Sequence, residues 1–486
     1  MGSIKNELTK GVFWIAVAKY SGIVISLFIT AILARNVSPI AFGTMAVATV
    51  IMAFLDIFSD MGLGVAIIQF KDLTKRQINS LFSISVILAI VLTLILFLSA
   101  NSIANYYKDS TLEIIIKWLC ICLFFKALNI IPNGMMLRNK KFKAIAIRTL
   151  FFQIIGGGAA CWMAITGWGI YSLLVNPILS AVGVFGYNFF NYPQRPVLTI
   201  DTGVVKKVWS YSFYQFLFGF INYFSRNIDT LIIGKYFSMK ELGYYEKSYR
   251  LMQLPLQNIT FVITPVLHPI LSSLQDNKAE LASKNIHLTR ILSQISFPLG
   301  IILYFCATPI ITIIFGRNWI PAIPVFEILS VSVPLQVITS TSGSIFQAAG
   351  KTKHLFYCGV QSSICTVGAF IIAAVFFRTI ESMAWAWVIA STLNFLFTYC
   401  VMNRITFHTS IYPFFKSLCP QIINSAISIG VVFFAIKIWT PINAVMEITW
   451  VLIVTAIPTL IMAKFLHQYS VKNLLASVVK RIKGRN

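Results

Sequence analysis

Long apolar runs constrain this chain before anything else does. Stretches of helix length, nearly free of charge, fall near 11–34, 41–68, 79–101, 112–132, 144–166, 168–190, 208–234, 241–272, 289–315, 323–349, 354–377, 381–402, 417–438 and 447–466. A bilayer's hydrocarbon takes about 20 apolar helical residues to cross, and inside it only helices or closed barrels satisfy every backbone group. Fourteen such runs predict an all-α, polytopic membrane protein with 14 transmembrane helices. Composition agrees: 11% of the 486 residues are charged, against roughly 25% in soluble domains. Turn residues punctuate the runs, as at Ser38-Pro39, 166–169 (TGWG), 191–196 (NYPQRP) and 316–321 (GRNWIP). The first run is too long for a signal-peptide core and lacks a small-residue cleavage site, so it reads as a span.

Loop cations orient the spans. With the N-terminus inside, 26 of the 39 Lys and Arg fall in inside segments, seven in outer turns and six within spans. A miscounted span would scramble this alternation, so both termini are expected in the cytoplasm. The net charge of +24 therefore reads as topology. No basic run interleaves with aromatics in a soluble segment, so no nucleic-acid partner is expected. The eight cysteines lie in or beside apolar runs without C-x-x-C spacing, and the five histidines form no metal motif. No disulfide, metal or cofactor is expected. After residue 468, Leu474, Leu475, Val478, Val479 and Ile482 recur at helical spacing against Lys472, Lys480, Arg481 and Lys483. Either a basic helix on the anionic inner leaflet or a disordered basic tail fits that pattern.

An echo divides the chain. Residues 34–43, ARNVSPIAFG, end the first span, and residues 234–243, GKYFSMKELG, end the seventh; Ser38 falls on Ser238 and Gly43 on Gly243. A second echo sets 135–143, MMLRNKKFK, against 345–353, IFQAAGKTK. Both are helix ends breaking into basic turns. Two six-span halves in the same orientation predict parallel repeats, a transporter architecture with the substrate site between the halves. The expected division is 1–196 and 197–405 as two six-helix lobes, 406–468 as two further helices, and 469–486 as a basic cytoplasmic tail.

Charges inside the membrane are costly, roughly 3 kcal/mol or more each, and mark sites or ion pairs. Arg226 and Asp229 are three apart, and Glu246 and Arg250 four apart, so each set could pair on one helix face. Lys117 and Lys247 are near enough to span ends to snorkel. Lys19 is roughly 12 Å into the first span at 1.5 Å per residue. Asp56 and Asp60, one turn apart on the second span, could neutralise it; Lys126 has no local partner. A cavity with such cations would accept an anionic headgroup. Tyr20, Tyr211, Tyr214, Gln215, Asn222 and Tyr223 could offer hydroxyls and amides to sugars, although aromatics also serve as interface belts and core. The candidate substrate-binding residues are Lys19, Asp60, Lys126, Arg226, Asp229 and Arg250; Arg35 and Lys235 are placed at an outer gate.

Residues 227–255, NIDTLIIGKYFSMKELGYYEKSYRLMQLP, carry Asn227, Asp229, Gly234, Lys235, Leu242, Gly243, Tyr245, Tyr249, Arg250 and Pro255. Residues 60–74, DMGLGVAIIQFKDLT, carry Asp60, Gly62, Gly64, Gln69 and Leu73. Weaker matches lie at 136–142 and 314–319. With these motifs the chain resembles, over nearly its whole length, the multidrug/oligosaccharidyl-lipid/polysaccharide flippase superfamily in its Wzx-like, polysaccharide-exporter branch. The resemblance implies a multi-pass protein of the bacterial cytoplasmic membrane. It implies translocation of an undecaprenyl-diphosphate-linked oligosaccharide for capsule, O-antigen or exopolysaccharide assembly, with polysaccharide polymerase and assembly proteins as partners. It also implies that the last two spans form a groove for the lipid tail. The rival within the same fold is a cation-coupled multidrug exporter, which usually needs a buried acid in the first half. A membrane polymerase or ligase would need a large outer loop with catalytic groups. Every outer turn here is short, so no enzymatic activity is expected.

Overall fold

The structure, a computed structural model, describes residues 2–465 except 71, 273, 276 and 440–442, and within 198–225 only 201, 203, 213, 216, 220, 223 and 224. Lys71, Lys206, Lys207, Tyr211, Tyr214, Gln215, Asn222 and the tail 469–486 lie outside the described residues. Among the described residues there is no strand. The helices are α1 (Gly2–Asn36), α2 (Pro39–Asp60), α3 (Leu63–Gln69), α4 (Lys75–Tyr107), α5 (Ser110–Arg138), α6 (Phe142–Ile165) and α7 (Tyr171–Asn191). After a helical segment at 226–236 follow α8 (Met239–Ser272), α9 (Lys278–Phe305), α10 (Ala307–Ile314), α11 (Ile323–Val331), α12 (Val333–Thr339) and α13 (Ser342–Ala348). The chain closes with α14 (Thr352–Ile372), α15 (Ile380–Cys400), α16 (Tyr412–Ile438) and α17 (Ala444–Phe465); π-helical turns extend α14 and α15 to Phe377 and Thr406.

Among the described residues, eleven helices are long and apolar enough to cross a membrane, and up to 12 if the bent pair Arg317–Val331 and Val333–Ala348 is one span. The two other apolar runs of the sequence are 208–234, described only in part, and 241–272, which is helical as α8. The bent pair meets at 45°. Its cause is local: Pro334 opens α12, and the Ser330 and Ser332 hydroxyls donate back to the carbonyls of Phe326 and Leu329 at 2.7 and 2.6 Å.

Two compact units form, one of Met1–Glu246 with Ile314–Asn318, the other of Lys247–Ile313 with Trp319–Asn486. In the first, α5 packs on α4, α2, α3 and α7, and α6 on α1 and α7. In the second, α9 packs on α12 and α16, α14 on α15, and α16 on α17.

The second span is broken where the sequence promised one run. Met61 and Gly62 take left-handed backbone, φ 38° and 77°, between α2 and α3. The Asp60 carboxylate then accepts from the Gly64 amide at 3.2 Å, satisfying a first-turn N–H of α3. A Cβ on Gly64 would lie 3.1 Å from that carboxylate oxygen. The motif Asp60, Gly62, Gly64 is thus the chemistry of a capped helix break.

Candidate functional site

Lys126, Asn129 and Asn133 recur three and four residues apart, so they share one face of α5. Each meets a different helix of the first unit. Lys126 Nζ lies 3.0 Å from Asp56 Oδ2 on α2. Asn129 Oδ1 accepts from Asn188 Nδ2 of α7 at 2.7 Å. Asn133 Oδ1 accepts from Arg148 Nη2 of α6 at 2.7 Å. A single polar stripe therefore ties α5 to three neighbours inside an otherwise apolar bundle.

The stripe is incompletely satisfied. Asp56 Oδ1, Asn188 Oδ1 and Arg148 Nε and Nη1 are buried and have no hydrogen-bond partner. Such groups are rare in folded proteins and mark places where water or a ligand completes the network. Lys126 lies roughly 18 Å from the Arg138 end of α5 and 24 Å from its Ser110 end at 1.5 Å per residue, well inside the hydrocarbon span. Yet the side chains of Lys126 and Asp56 are 43% and 29% exposed. An accessible ion pair at that depth cannot face lipid at tolerable cost; it must face water or a polar ligand. The accessible ammonium, held by one carboxylate, can exchange that carboxylate for an oxyanion.

The other expected site residues are placed differently. Asp56, offered by the sequence to Lys19, is held instead by Lys126, whose partner is distant in sequence, as the absence of a local one implies. Lys19 is half-buried on α1. Asp60 caps α3, a structural role the sequence did not suggest. Arg226 and Asp229 do not form the expected ion pair among the described residues. Arg226 is exposed, while Asp229 is 3% exposed and its Oδ1 accepts from the Thr230 amide at 2.8 Å. Glu246 is buried at the end of the first unit, and Arg250 is exposed in the second. Lys117, expected to snorkel, pairs with Glu113 at 2.6 Å. Tyr20 is 42% exposed, and Tyr223 is buried with its hydroxyl donating to the Val50 carbonyl of α2.

Arg148 is the residue that sequence reasoning missed. Counted among the inside-loop cations, it is 5% exposed on α6. The signal was present: position 148 lies within the apolar run 144–166. The Lys126–Asp56 pair was also legible in principle. Counted from the outer turns that start α2 and α5, both residues lie roughly 25 Å along their helices at 1.5 Å per residue.

The opening echo becomes a contact. Ser38 and Ser238 each accept from the amide three residues on, Ala41 at 3.4 Å and Glu241 at 3.2 Å, so each caps its helix. Gly43 and Gly243 lie against each other. A Cβ on Gly43 would collide with the Met239 carbonyl and sit 3.1 Å from the Gly243 nitrogen; one on Gly243 would collide with the Pro39 carbonyl and sit 3.3 Å from the Gly43 nitrogen. The contact is reciprocal, with each glycine facing the residue four before the other. Around it, the Thr44 hydroxyl donates to Asp109 at 2.7 Å. Lys235 Nζ donates to the Tyr106 carbonyl at 2.7 Å and lies 3.6 Å from the Tyr106 ring centroid. A Cβ on Gly316 would lie 3.4 Å from Arg35 Cγ. This end of the first unit, outer by loop charge, is closely packed.

Known proteins match both sequence and fold. The profile of the family described as "Polysaccharide biosynthesis protein" matches residues 32–324. The chain is 24% identical over 442 residues to the teichuronic acid biosynthesis protein TuaB of Bacillus subtilis, covering 90% of this chain and 91% of the relative. It is 26% identical over 439 residues to the lipopolysaccharide biosynthesis protein WzxC of Escherichia coli, covering 87% and 85%. Its fold is similar to that of the lipid II flippase MurJ in an inward closed conformation, with a TM-score of 0.74 and 16% identity over 94% of this chain and all of the other. An inward-facing multidrug resistance MATE family transporter aligns with a TM-score of 0.60, 13% identity, 78% of this chain and 94% of the other. Apolar helices and bacterial relatives together place the chain in the bacterial cytoplasmic membrane as a multi-pass protein. It belongs to the polysaccharide biosynthesis protein family, on a fold similar to those of the lipid II flippase and the multidrug transporter.

Proposed function

We propose that this protein is a flippase that carries an undecaprenyl-diphosphate-linked oligosaccharide across the cytoplasmic membrane, by alternating access, for surface polysaccharide assembly. The observation that carries the reading is the accessible Lys126–Asp56 pair, 3.0 Å apart within the hydrocarbon span, on a fold shared with a lipid-linked-precursor flippase. A diphosphate and its sugars cannot cross hydrocarbon alone, because each unsatisfied polar group costs several kcal/mol. An accessible lysine receives the diphosphate, releasing Asp56, while the polyprenyl tail stays in lipid. Lys19, Asp60, Arg226, Asp229 and Arg250 remain candidates for the headgroup path, and Arg35 and Lys235 for the outer gate. With the cell interior negative, moving two negative charges outward gains roughly 2 × 2.3 kcal/mol per 100 mV.

The two six-helix lobes, 1–196 and 197–405, are proposed as parallel repeats followed by two further helices, with 14 spans and both termini cytoplasmic. The reciprocal packing of Gly43 and Gly243 supports a local two-fold relation between them. Polysaccharide polymerase and assembly proteins are the proposed partners, and no catalytic step is assigned. The test is complementation of glycan export in a strain lacking the gene. Lys126→Gln should reduce export about tenfold or more at normal protein level, since a charge-assisted hydrogen bond contributes roughly 1.5–3 kcal/mol. Full export by Lys126→Gln would remove Lys126 from the mechanism, and drug resistance conferred by the wild-type protein without export would favour the cation-coupled multidrug exporter.

A further inference from the structure

The second unit holds a cavity of about 420 Å³ between the first three turns of α9 and the turn that leads into α16. That is at the small end of ligand sites, roughly 300–1,000 Å³. From α9 it is lined by Ala279, Ala282, Ser283, Ile286, His287 and Arg290, a three-and-four spacing that puts them on one helix face. Ala282 leaves room, and the hydroxyl and two basic side chains supply donors. Across from them stand Thr409 and Ser410. Their turn is fixed: His408 takes φ 57°, the Thr409 amide donates to the Asn403 carbonyl at 2.9 Å, and the Ser410 hydroxyl accepts from the Tyr412 amide at 3.3 Å. Nearby charges are mostly positive, with Lys278 and Lys284 on α9, Arg404 before the turn and Lys416 after it. The acid in this stretch of α9, Glu280, already accepts from Asn277 Nδ2 at 3.3 Å.

Hydroxyls, two basic side chains, a lining without a carboxylate and a small volume select a phosphate ester; the Thr409 hydroxyl, which donates to the Asn403 carbonyl at 3.4 Å, would turn to it. Loop charge assigns these segments to the cytoplasmic face, where anionic lipid headgroups concentrate. Farther along the same helices, α9 exposes Ile295 at 49%, and α16 exposes Ile422 and Ile423 at 53% and 56%. Ile295 is roughly 8 Å beyond Arg290 along the helix axis at 1.5 Å per residue, within reach of an acyl chain. We infer that this cavity is a binding site for the headgroup phosphate of an anionic glycerophospholipid of the inner leaflet, with Arg290 and His287 on the phosphate and Ser283, Thr409 and Ser410 on its remaining oxygens. The bound lipid holds the foot of α9 to the foot of α16. This site is separate from glycan translocation and does not depend on it.

Full-length protein in neutral detergent, titrated with phosphatidylglycerol and followed by native mass spectrometry, tests the inference. Wild type should retain one phosphatidylglycerol about tenfold more tightly than phosphatidylcholine, and His287→Gln with Arg290→Gln should lower that retention about tenfold. Arg290→Lys should stay within a few-fold, whereas Ser283→Phe, which fills the cavity and keeps both cations, should release the lipid. Lys437→Gln, at the other end of α16, should bind as wild type does. Equal retention by wild type and the double variant, or equal retention of the two lipids, would overturn the site. So would a loss in Lys437→Gln matching that of the double variant. Displacement of phosphatidylglycerol by millimolar inorganic phosphate would assign the cavity to a soluble phosphate compound and overturn the lipid. Ser283→Phe and Arg290→Lys decide the question should the double variant fail to fold.

Discussion

At the scale of single residues, Arg148 and Lys126 carry opposite lessons. Arg148 is buried and keeps one hydrogen bond, to Asn133, while Nε and Nη1 go unpaired. Arg148→Met removes that bond and also the unpaired nitrogens, so the two effects oppose each other and stability should change by about 1 kcal/mol or less. Arg148→Ala adds a cavity beside an orphaned amide and should cost about 2–3 kcal/mol. Thermal unfolding in detergent separates them: the alanine variant should melt clearly below the methionine variant, and an inverted order would remove the strained-network reading. The burial of Arg148 and the partner of Lys126 were legible only in principle, from the extent of an apolar run and the depth of each residue along its helix. A cation read as loop charge looks the same whether its helix begins before or after it. Likewise the partner of Lys126 is 70 positions away, so only the packing of α2 on α5 brings the pair together.

At the scale of elements, the second span and the helix ends were legible to different degrees. Ser-Pro at 38–39 and the echo at 238 announced two helix starts, and both serines cap. The break at Met61 and Gly62 was hidden inside an apolar run because hydropathy does not register backbone conformation, although Asp60-x-Gly62-x-Gly64 was visible as a motif. Nor did apolarity reveal that the run 323–349 bends, since serines bonding to their own helix and Pro334 cost little hydropathy. The crossing of α2 and α8 offers the sharpest test at this scale. A methyl at either glycine must push helix backbone aside, so Gly43→Ala and Gly243→Ala should each destabilise the protein by about 1–3 kcal/mol, as overpacking does. Because each methyl opens the same contact, the double variant should cost less than the two together. Strictly additive losses, read as melting temperatures in detergent, would mean that the two positions do not share one crossing.

At the scale of the whole molecule, the all-helical membrane class was plain from the apolar runs. Among the described residues, 12 of the 14 expected spans are long and apolar enough to cross, the bent pair taken as one. The remaining two runs are 208–234, described only in part, and 241–272, which is helical as α8. Reporter fusions can fix the topology. Fusions after Lys140 and Ile405 should report cytoplasm, and fusions after Lys108 and Arg378 should report the outside, following the loop charges; a reversal at Arg378 and Ile405 alone would mean a miscounted span between Lys140 and Arg378. The central claim is that an accessible lysine within the membrane carries a lipid diphosphate across it. Its most direct measurement is the flipping rate of a polyprenyl-diphosphate oligosaccharide in proteoliposomes at matched protein density, with and without an imposed potential. Wild type should flip the lipid about tenfold or more faster than Lys126→Gln, and faster still with the lumen representing the outer face held positive. Equal rates for the two proteins would contradict it.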